Sequence, residues 1–374
     1  QIGSTNSSGE LSGGDIELIT SGSVLTQGSG SVGVSVMSLG GGGGSLFGEA
    51  NDTIWMGTLD ENKSGKIVTS NAGDIDINQT GEFITTTGEQ AGAIVVMSAG
   101  GGGGYIAEVN GDLTVGANVI GSTRGGNINI INTSKINTLN SSSPGIVAQS
   151  IGGGGAYIGL VTEGKNVVNF GSEGRSNTSS GNIQIENKSE ILTSGVGSPG
   201  LLAQSIGGGG GYLTLSASPH FVFNGSTGRG LAISGDIDLK NSQTIKTIET
   251  GSQAIVAQSI AGGGGFIGDA GTNGSSVSKV ILGSSGSNDG DILLRVKNRE
   301  NIWNEFLADK PDWRSIDFIS SAWKALAGKN NKLPNVGGIS QAGNVAIDSK
   351  GDSLTTSGDN SAVILAQSIG GGGG

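Results

Sequence analysis

Ser353, His220 and a few paired acids are the residues from which chemistry would have to be built, and their spacing keeps them apart. Ser353 sits in Gly351-Asp352-Ser353-Leu354, a setting in which a serine could serve as an esterase nucleophile. Such a serine needs a base within hydrogen-bond reach, and the single histidine, His220, lies far upstream with none following. One histidine and no cysteine leave no ligand set for zinc. Turns such as Asn288-Asp289-Gly290-Asp291 and Gly235-Asp236 offer oxygens for calcium, but the fixed Gly and Asp spacing of a calcium-binding β-roll is not met. Solvated turn residues, and no cofactor, are therefore expected. Asp74 and Asp76 alternate on one strand face, the arrangement a shallow glycosidase groove would use, and read as edge charges. The glycine runs are no phosphate loop, because none is followed by Gly-Lys-Ser/Thr. The expectation is a chain that is not an enzyme.

Composition points to shape instead. Of 374 residues 74 are Gly, while 14% are charged and 4% aromatic. Glycine at this level can mean disorder, but here it punctuates short Ile/Val/Leu/Thr segments that a disordered chain would lack. The net charge of −11 argues against nucleic acid as a partner, since phosphates select Lys/Arg clusters. Without cysteine there are no disulfides, and no apolar run is long enough for a membrane helix.

Two landmarks show what positions these segments. Six glycine blocks follow serines at Ser38, Ser98, Ser150, Ser205, Ser259 and Ser368. Independently, Gly followed by Asp or Asn and an apolar residue recurs at Gly14, Gly73, Gly126, Gly181, Gly235, Gly290 and Gly343. The period is about 54 residues and the second landmark counts seven units, so the unit after Gly290 has Trp313-Arg314 where its serine would stand. Within a unit, GDIDIN, GNINII and GNIQIE alternate apolar with polar residues, the signature of a strand with one buried face. Units this small must stack to bury that face, which predicts an all-β parallel β-helix or β-solenoid of about seven repeats. Two coils of roughly 27 residues or three of roughly 18 would fit each repeat.

One segment departs from the pattern. Ile302, Trp303, Phe306 and Leu307, then Trp313, Ile316, Ile319, Trp323 and Leu326, lie at helical spacing, with Lys310-Pro311-Asp312 between them and Gly328 after. The expected organisation is solenoid over 1–298, a helical hairpin over 299–333 that replaces a glycine block, and resumed solenoid over 334–374. Trp303, Phe306, Trp313 and Trp323 are its candidate contact residues. Around them stand eight basic residues against five acidic ones, an asymmetry able to guide contacts between copies.

Glycine is the costliest residue to order, so a repeated block implies a need for backbone without side chains. Gly40, Gly42, Gly101, Gly103, Gly152, Gly154, Gly207, Gly209, Gly262, Gly264, Gly371 and Gly373 would form a bare ribbon. It packs inside the chain, between molecules, or both. Tyr105, Tyr157, Tyr212 and Phe266 follow the blocks in register and predict an aromatic ladder. Its rings either cover the ribbon or bind sugar. Gln149, Gln204, Gln258 and Gln367 predict an internal amide ladder.

The copies GIVAQSIGGGG from Gly145, GLLAQSIGGGGG from Gly200 and AIVAQSIAGGGG from Ala254 resemble the repeat in passenger regions of large bacterial autotransporters and related surface proteins. The first two units depart from it, with Val-Met-Ser for Ala-Gln-Ser. The resemblance implies a β-solenoid passenger, export across a Gram-negative envelope and an extracellular or outer-surface location. The absence of a signal peptide at Gln1 and the mid-repeat end at Gly374 would suit a processed or partial product. The expected function is a structural stalk or adhesin that self-associates into a fibre through solenoid ends and glycine-rich faces. Its partners would be further copies of itself and a host-cell or matrix surface. A carbohydrate-binding or carbohydrate-cleaving β-helix is the alternative.

Overall fold

The computed structural model describes residues 9–50, 54–57, 67–116, 120–161, 167–171, 176–215, 221–226, 231–269, 280–284 and 340–370. Among these residues every regular element is a strand, and the strands form six parallel sheets. One circuit of the chain contributes one strand to each sheet. In the third circuit these are Ile120–Arg124, Ile128–Asn132, Lys135–Thr138, Ile146–Ile151, Gly155–Val161 and Val167–Phe170, called here the first to the sixth strand.

Each strand pairs with its own counterpart in the circuits before and after. Ile128 stands opposite Ile75 on one side and Ile183 on the other, and Gln149 opposite Met97 and Gln204. A repeat is therefore one coil of six strands, in place of the two or three smaller coils that its length also allows. The reason lies in the burial pattern. A coil of about 18 or 27 residues encloses one core, whereas this coil folds back on itself and encloses three.

The first core lies inside the second, third and fourth sheets and contains Ile128, Ile130, Ile136, Ile146 and Ala148. The fourth strand is buried on both faces, as the near-continuous apolar run Ile-Val-Ala-Gln-Ser-Ile requires of a parallel strand with neighbours above and below. Its alternate residues Val147 and Ile151 enter a second core shared with Tyr157 of the fifth strand. The fifth strand turns Ala156 and Ile158 the other way, into a third core closed by the sixth sheet through Leu113 and Val115. The outer strands alternate instead. Ile183–Asn187 buries Ile183, Ile185 and Asn187 and exposes Gln184, as half-buried strands should.

The repeat count is corrected by the register. Val345 pairs directly with Ile237, Ser340 with Ala232 and Ile364 with Ile255. No coil separates these strands, so the described residues make six coils, at 9–56, 67–115, 120–170, 176–226, 232–284 and 340–369. The Gly290 landmark falls in 285–339, outside the described residues, as do Trp303, Phe306, Trp313, Trp323 and the proposed hairpin. Residues 285–339 connect the sixth strand of one coil to the first strand of the next, a step that 116–119 makes between the second and third coils. Replacing 285–339 with a link as short as 116–119 is expected to leave the far-ultraviolet β signature and the melting temperature close to those of the full chain. Loss of cooperative melting in that variant would contradict this connectivity.

Candidate functional site

The glycine blocks carry the chain from the fourth sheet into the fifth, a reversal made with both sheets already packed. In the five described blocks the third position, which is the second glycine in the block that starts at Ala261, takes a left-handed conformation: φ is +99° at Gly42, +95° at Gly102, +97° at Gly154, +111° at Gly209 and +103° at Gly263. A side chain is disfavoured there by the backbone alone. Space forbids it as well. A Cβ on Gly102 would lie 2.4 Å from the Cα of Gly57, one on Gly154 2.7 Å from Gly116, and one on Gly209 2.6 Å from Gly171. Gly57, Gly116 and Gly171 follow the sixth strand, so this turn is a contact of glycine on glycine.

Neighbouring blocks also bond to one another. Gly101 N donates to Gly152 O at 3.0 Å, Gly153 N to Gly207 O at 3.1 Å, and Gly155 N to Gly102 O at 3.1 Å. Gly101, Gly103, Gly152, Gly154, Gly207, Gly209, Gly262 and Gly264 are all buried, as is Gly40, and Gly42 in the first coil is half-buried. Gly371 and Gly373 lie outside the described residues. These described glycines are packed inside the chain.

The aromatic residues stack in the second core. Ring centroids are 5.3 Å apart for Tyr105 and Tyr157, 4.9 Å for Tyr157 and Tyr212, and 5.4 Å for Tyr212 and Phe266, with planes within 6° of parallel. All three tyrosines are wholly buried. Their hydroxyls donate to carbonyls of the turn between the third and fourth strands: Tyr105 to Gln90 O, Tyr157 to Ser142 O at 3.0 Å and Tyr212 to Gly197 O at 2.6 Å. Gln90, Ser142 and Gly197 share a left-handed φ, +51°, +54° and +62°, which marks the same corner in each coil. The phenols thus latch the fifth sheet to that corner. Enclosed in this way, they present no ring face to a sugar.

Beside them the glutamines form the expected amide ladder. Gln149 Nε2 donates to Gln204 Oε1 at 2.7 Å, Gln204 Nε2 to Gln258 Oε1 at 2.8 Å, and Gln258 Nε2 to Gln367 Oε1 at 2.6 Å. The ladder stops at Gln149 Oε1, which is buried without a partner because the next rung is Met97. A second ladder escaped the sequence reading. Asn132 Nδ2 donates to Asn187 Oδ1 at 2.8 Å and Asn187 Nδ2 to Asn241 Oδ1 at 2.7 Å. Its signal was present, as an asparagine closing GNINIIN, GNIQIEN and GDIDLKN.

The two landmarks meet in space. Ser98 Oγ donates to Gly73 O of its own coil at 2.8 Å and accepts from Gly126 N of the next at 2.7 Å. Ser150 does the same with Gly126 O at 2.7 Å and Gly181 N at 2.8 Å. The residue after each landmark glycine caps the following coil: Asp74 Oδ1 accepts from Asn127 N at 2.7 Å, Asn127 Oδ1 from Asn182 N at 2.9 Å, and Asp236 Oδ1 from Asn344 N at 2.6 Å. An acceptor oxygen is required there, which Asp and Asn both supply.

The remaining candidates for chemistry are placed as ordinary rungs. Asp74 and Asp76 accept from Asn127 and Asn129 of the next coil, and the Ser353 carbonyl accepts from Ile245 N. A shallow depression on the second sheet is lined by Asn129, Gln184, Glu186, Asp238 and Lys240, and its carboxylates are already engaged, Asp238 with Lys240 at 3.3 Å and Glu186 with Lys188 at 3.1 Å. His220 and Asn288 to Asp291 lie outside the described residues. Among the described residues no group of three or more His, Cys, Asp or Glu could hold a metal ion.

No protein-family model, curated protein or solved structure matches the chain.

Burial pushes the Tyr105, Tyr157 and Tyr212 hydroxyls above the ordinary phenol value of 10.0, and at Tyr157 the neighbouring phenols add to the effect. The folded chain holds the neutral form while the unfolded chain ionises at the ordinary value. This contribution is whole below pH 10 and is lost as pH rises above it. Melting temperature should accordingly fall steeply beyond pH 10, and the fall should flatten when the three tyrosines are replaced by phenylalanine. Phe266 already shows that the column takes a phenyl ring. At neutral pH each replacement should cost about 1 kcal/mol for the lost hydrogen bond. An unchanged alkaline slope would show that these phenols are not enclosed.

Proposed function

We propose that the chain is a non-enzymatic structural protein of the cell surface or extracellular space, an autotransporter-like stalk or adhesin that self-associates into a fibre through its stacked ends. One observation carries this reading. Among the described residues, stacked tyrosine rings and the hydrogen bonds of serines, glutamines, asparagines and corner acids, side chains that could do chemistry, hold one coil to the next. Among the described residues, the first and last strand of each sheet has a neighbour on one side only. Val34–Leu39 and Ile364–Ile369 terminate the fourth sheet, and the second and third sheets end likewise. Their inner side chains lose cover there, with Ile364 44% exposed where its counterpart Ile255 is fully buried. Such edges are templates for further strands. The AQSIGGGG motif supports export and a surface location, and a chain without cysteine suits a structure that holds itself together by repetition.

Negative-stain microscopy of the purified chain tests the proposal, beside an assay for reducing ends released from a panel of polysaccharides. Unbranched fibres of uniform width, with no sugar released, are the expected result. Monodisperse particles that depolymerise a polysaccharide would overturn it.

A further inference from the structure

The side-chain columns change type inside the stack. In the glutamine column, Met37 and Met97 occupy the first two coils and Gln149, Gln204, Gln258 and Gln367 the other four. Methionine on methionine strands no strong donor or acceptor, and glutamine on glutamine exchanges a hydrogen bond at each step. The column switches from one to the other between the second and third coils, and there Gln149 Oε1 is buried without a partner.

Two further columns fail at the same boundary. The asparagine ladder gives way to Gln79, whose Nε2 donates to Ser134 Oγ at 3.0 Å and whose Oε1 is buried unpaired. Asn132, paired with Gln79, turns its amide away from it, to Asn187 in the fourth coil and to Ser134 O in its own turn. In the first sheet Thr123 stands beside Ser70, but Ser70 Oγ donates to the carbonyls of Gly100 and Leu11, and Thr123 Oγ1 is buried with no partner. A buried polar atom left unpaired costs more than an average hydrogen bond returns. The corner bonds of Ser98 and Asp74 also cross this boundary, but their counterparts cross the other four, so they do not set it apart.

We propose that this boundary is a parting line built into the stack, at which the first two coils open together before the other four. Coils in a solenoid contact only their neighbours, so stability is a sum of coil and boundary terms, and the stack opens first where a boundary is weakest. Opening there brings Gln149 Oε1, Gln79 Oε1 and Thr123 Oγ1 to water, which removes the penalty each carries while buried. The parting line goes beyond the stalk reading and does not depend on what the chain attaches to. In a stalk under tension it would let two coils yield while the others keep their fold.

Amide hydrogen exchange reads the line directly. Ile75–Gln79 of the second coil should exchange about tenfold or more faster than Ile128–Asn132 of the third, although both lie in the second sheet with neighbours on either side. Moving the mismatch should move the step. Met97→Gln shifts it to the boundary with Met37 and should slow exchange in Ile75–Gln79 about tenfold. Gln149→Met shifts it to Gln204 and should speed exchange in Ile128–Asn132 by a similar factor. Methionine and glutamine are close in size, so both variants should keep the circular dichroism of the parent. Fraying alone would not follow these substitutions. Equal protection of the two strands in the parent chain would overturn the parting line, as would a step that stays in place in both variants.

Discussion

Every interior position in this chain must pack against itself. Parallel strands in register, about 4.8 Å apart, place each side chain directly beside its counterpart in the next coil, so a residue type is admitted only if it can stack on its own kind. Isoleucine, valine and alanine do so without cost. Tyrosine does so by offset ring stacking, at about 0.5 to 1.5 kcal/mol per pair beyond its buried area. Glutamine and asparagine do so because an amide donates on one side and accepts on the other, and the glutamine column leaves an unpaired atom where it stops, at Gln149 Oε1 beside Met97. Buried acids cannot, because a column of like charges would repel, and Asp74 and Asp236 stand at an exposed corner.

The glycine blocks follow from the same constraint applied to the backbone. Three cores fit in one coil only if the chain reverses between two sheets that are each buried on both faces. At that reversal Gly154 is left-handed and in contact with Gly116, with Gly102 and Gly209 in the same relation to Gly57 and Gly171. Ordering glycine costs about 0.5 to 1 kcal/mol more than ordering alanine at each position. Burial on both sides of the fourth and fifth strands offsets that cost, at about 25 cal/mol per Å² of apolar surface.

Much of this was legible in the sequence because columns are visible as periods. The strand alternation in GNINII, the glutamine set and the aromatic set each needed only alignment of the copies. The coil count per repeat was not legible, since length alone does not say whether a strand pairs within its repeat or beyond it. Nor was the direct pairing of Ile237 with Val345, since the sequence offers a further landmark, Gly290, between them. The partner of the glycine block escaped too. Gly57, Gly116 and Gly171 are lone glycines after short strands, and only the fold brings them against the blocks. The latch from Tyr157 to Ser142 spans fifteen residues and has no local signature, because the turn carbonyl it reaches belongs to Gln, Ser or Gly alike.

The central claim is that one repeat makes one coil, so that residues one repeat apart are adjacent. Nitroxide labels on Asn129 and Gln184, paired positions on the outer face of the second sheet, measure this most directly through dipolar broadening. Backbones about 5 Å apart should give the strongly broadened spectrum of neighbouring strands. A weakly broadened spectrum, as from backbones about 10 Å apart with another strand between them, would mean two coils per repeat and would contradict the account.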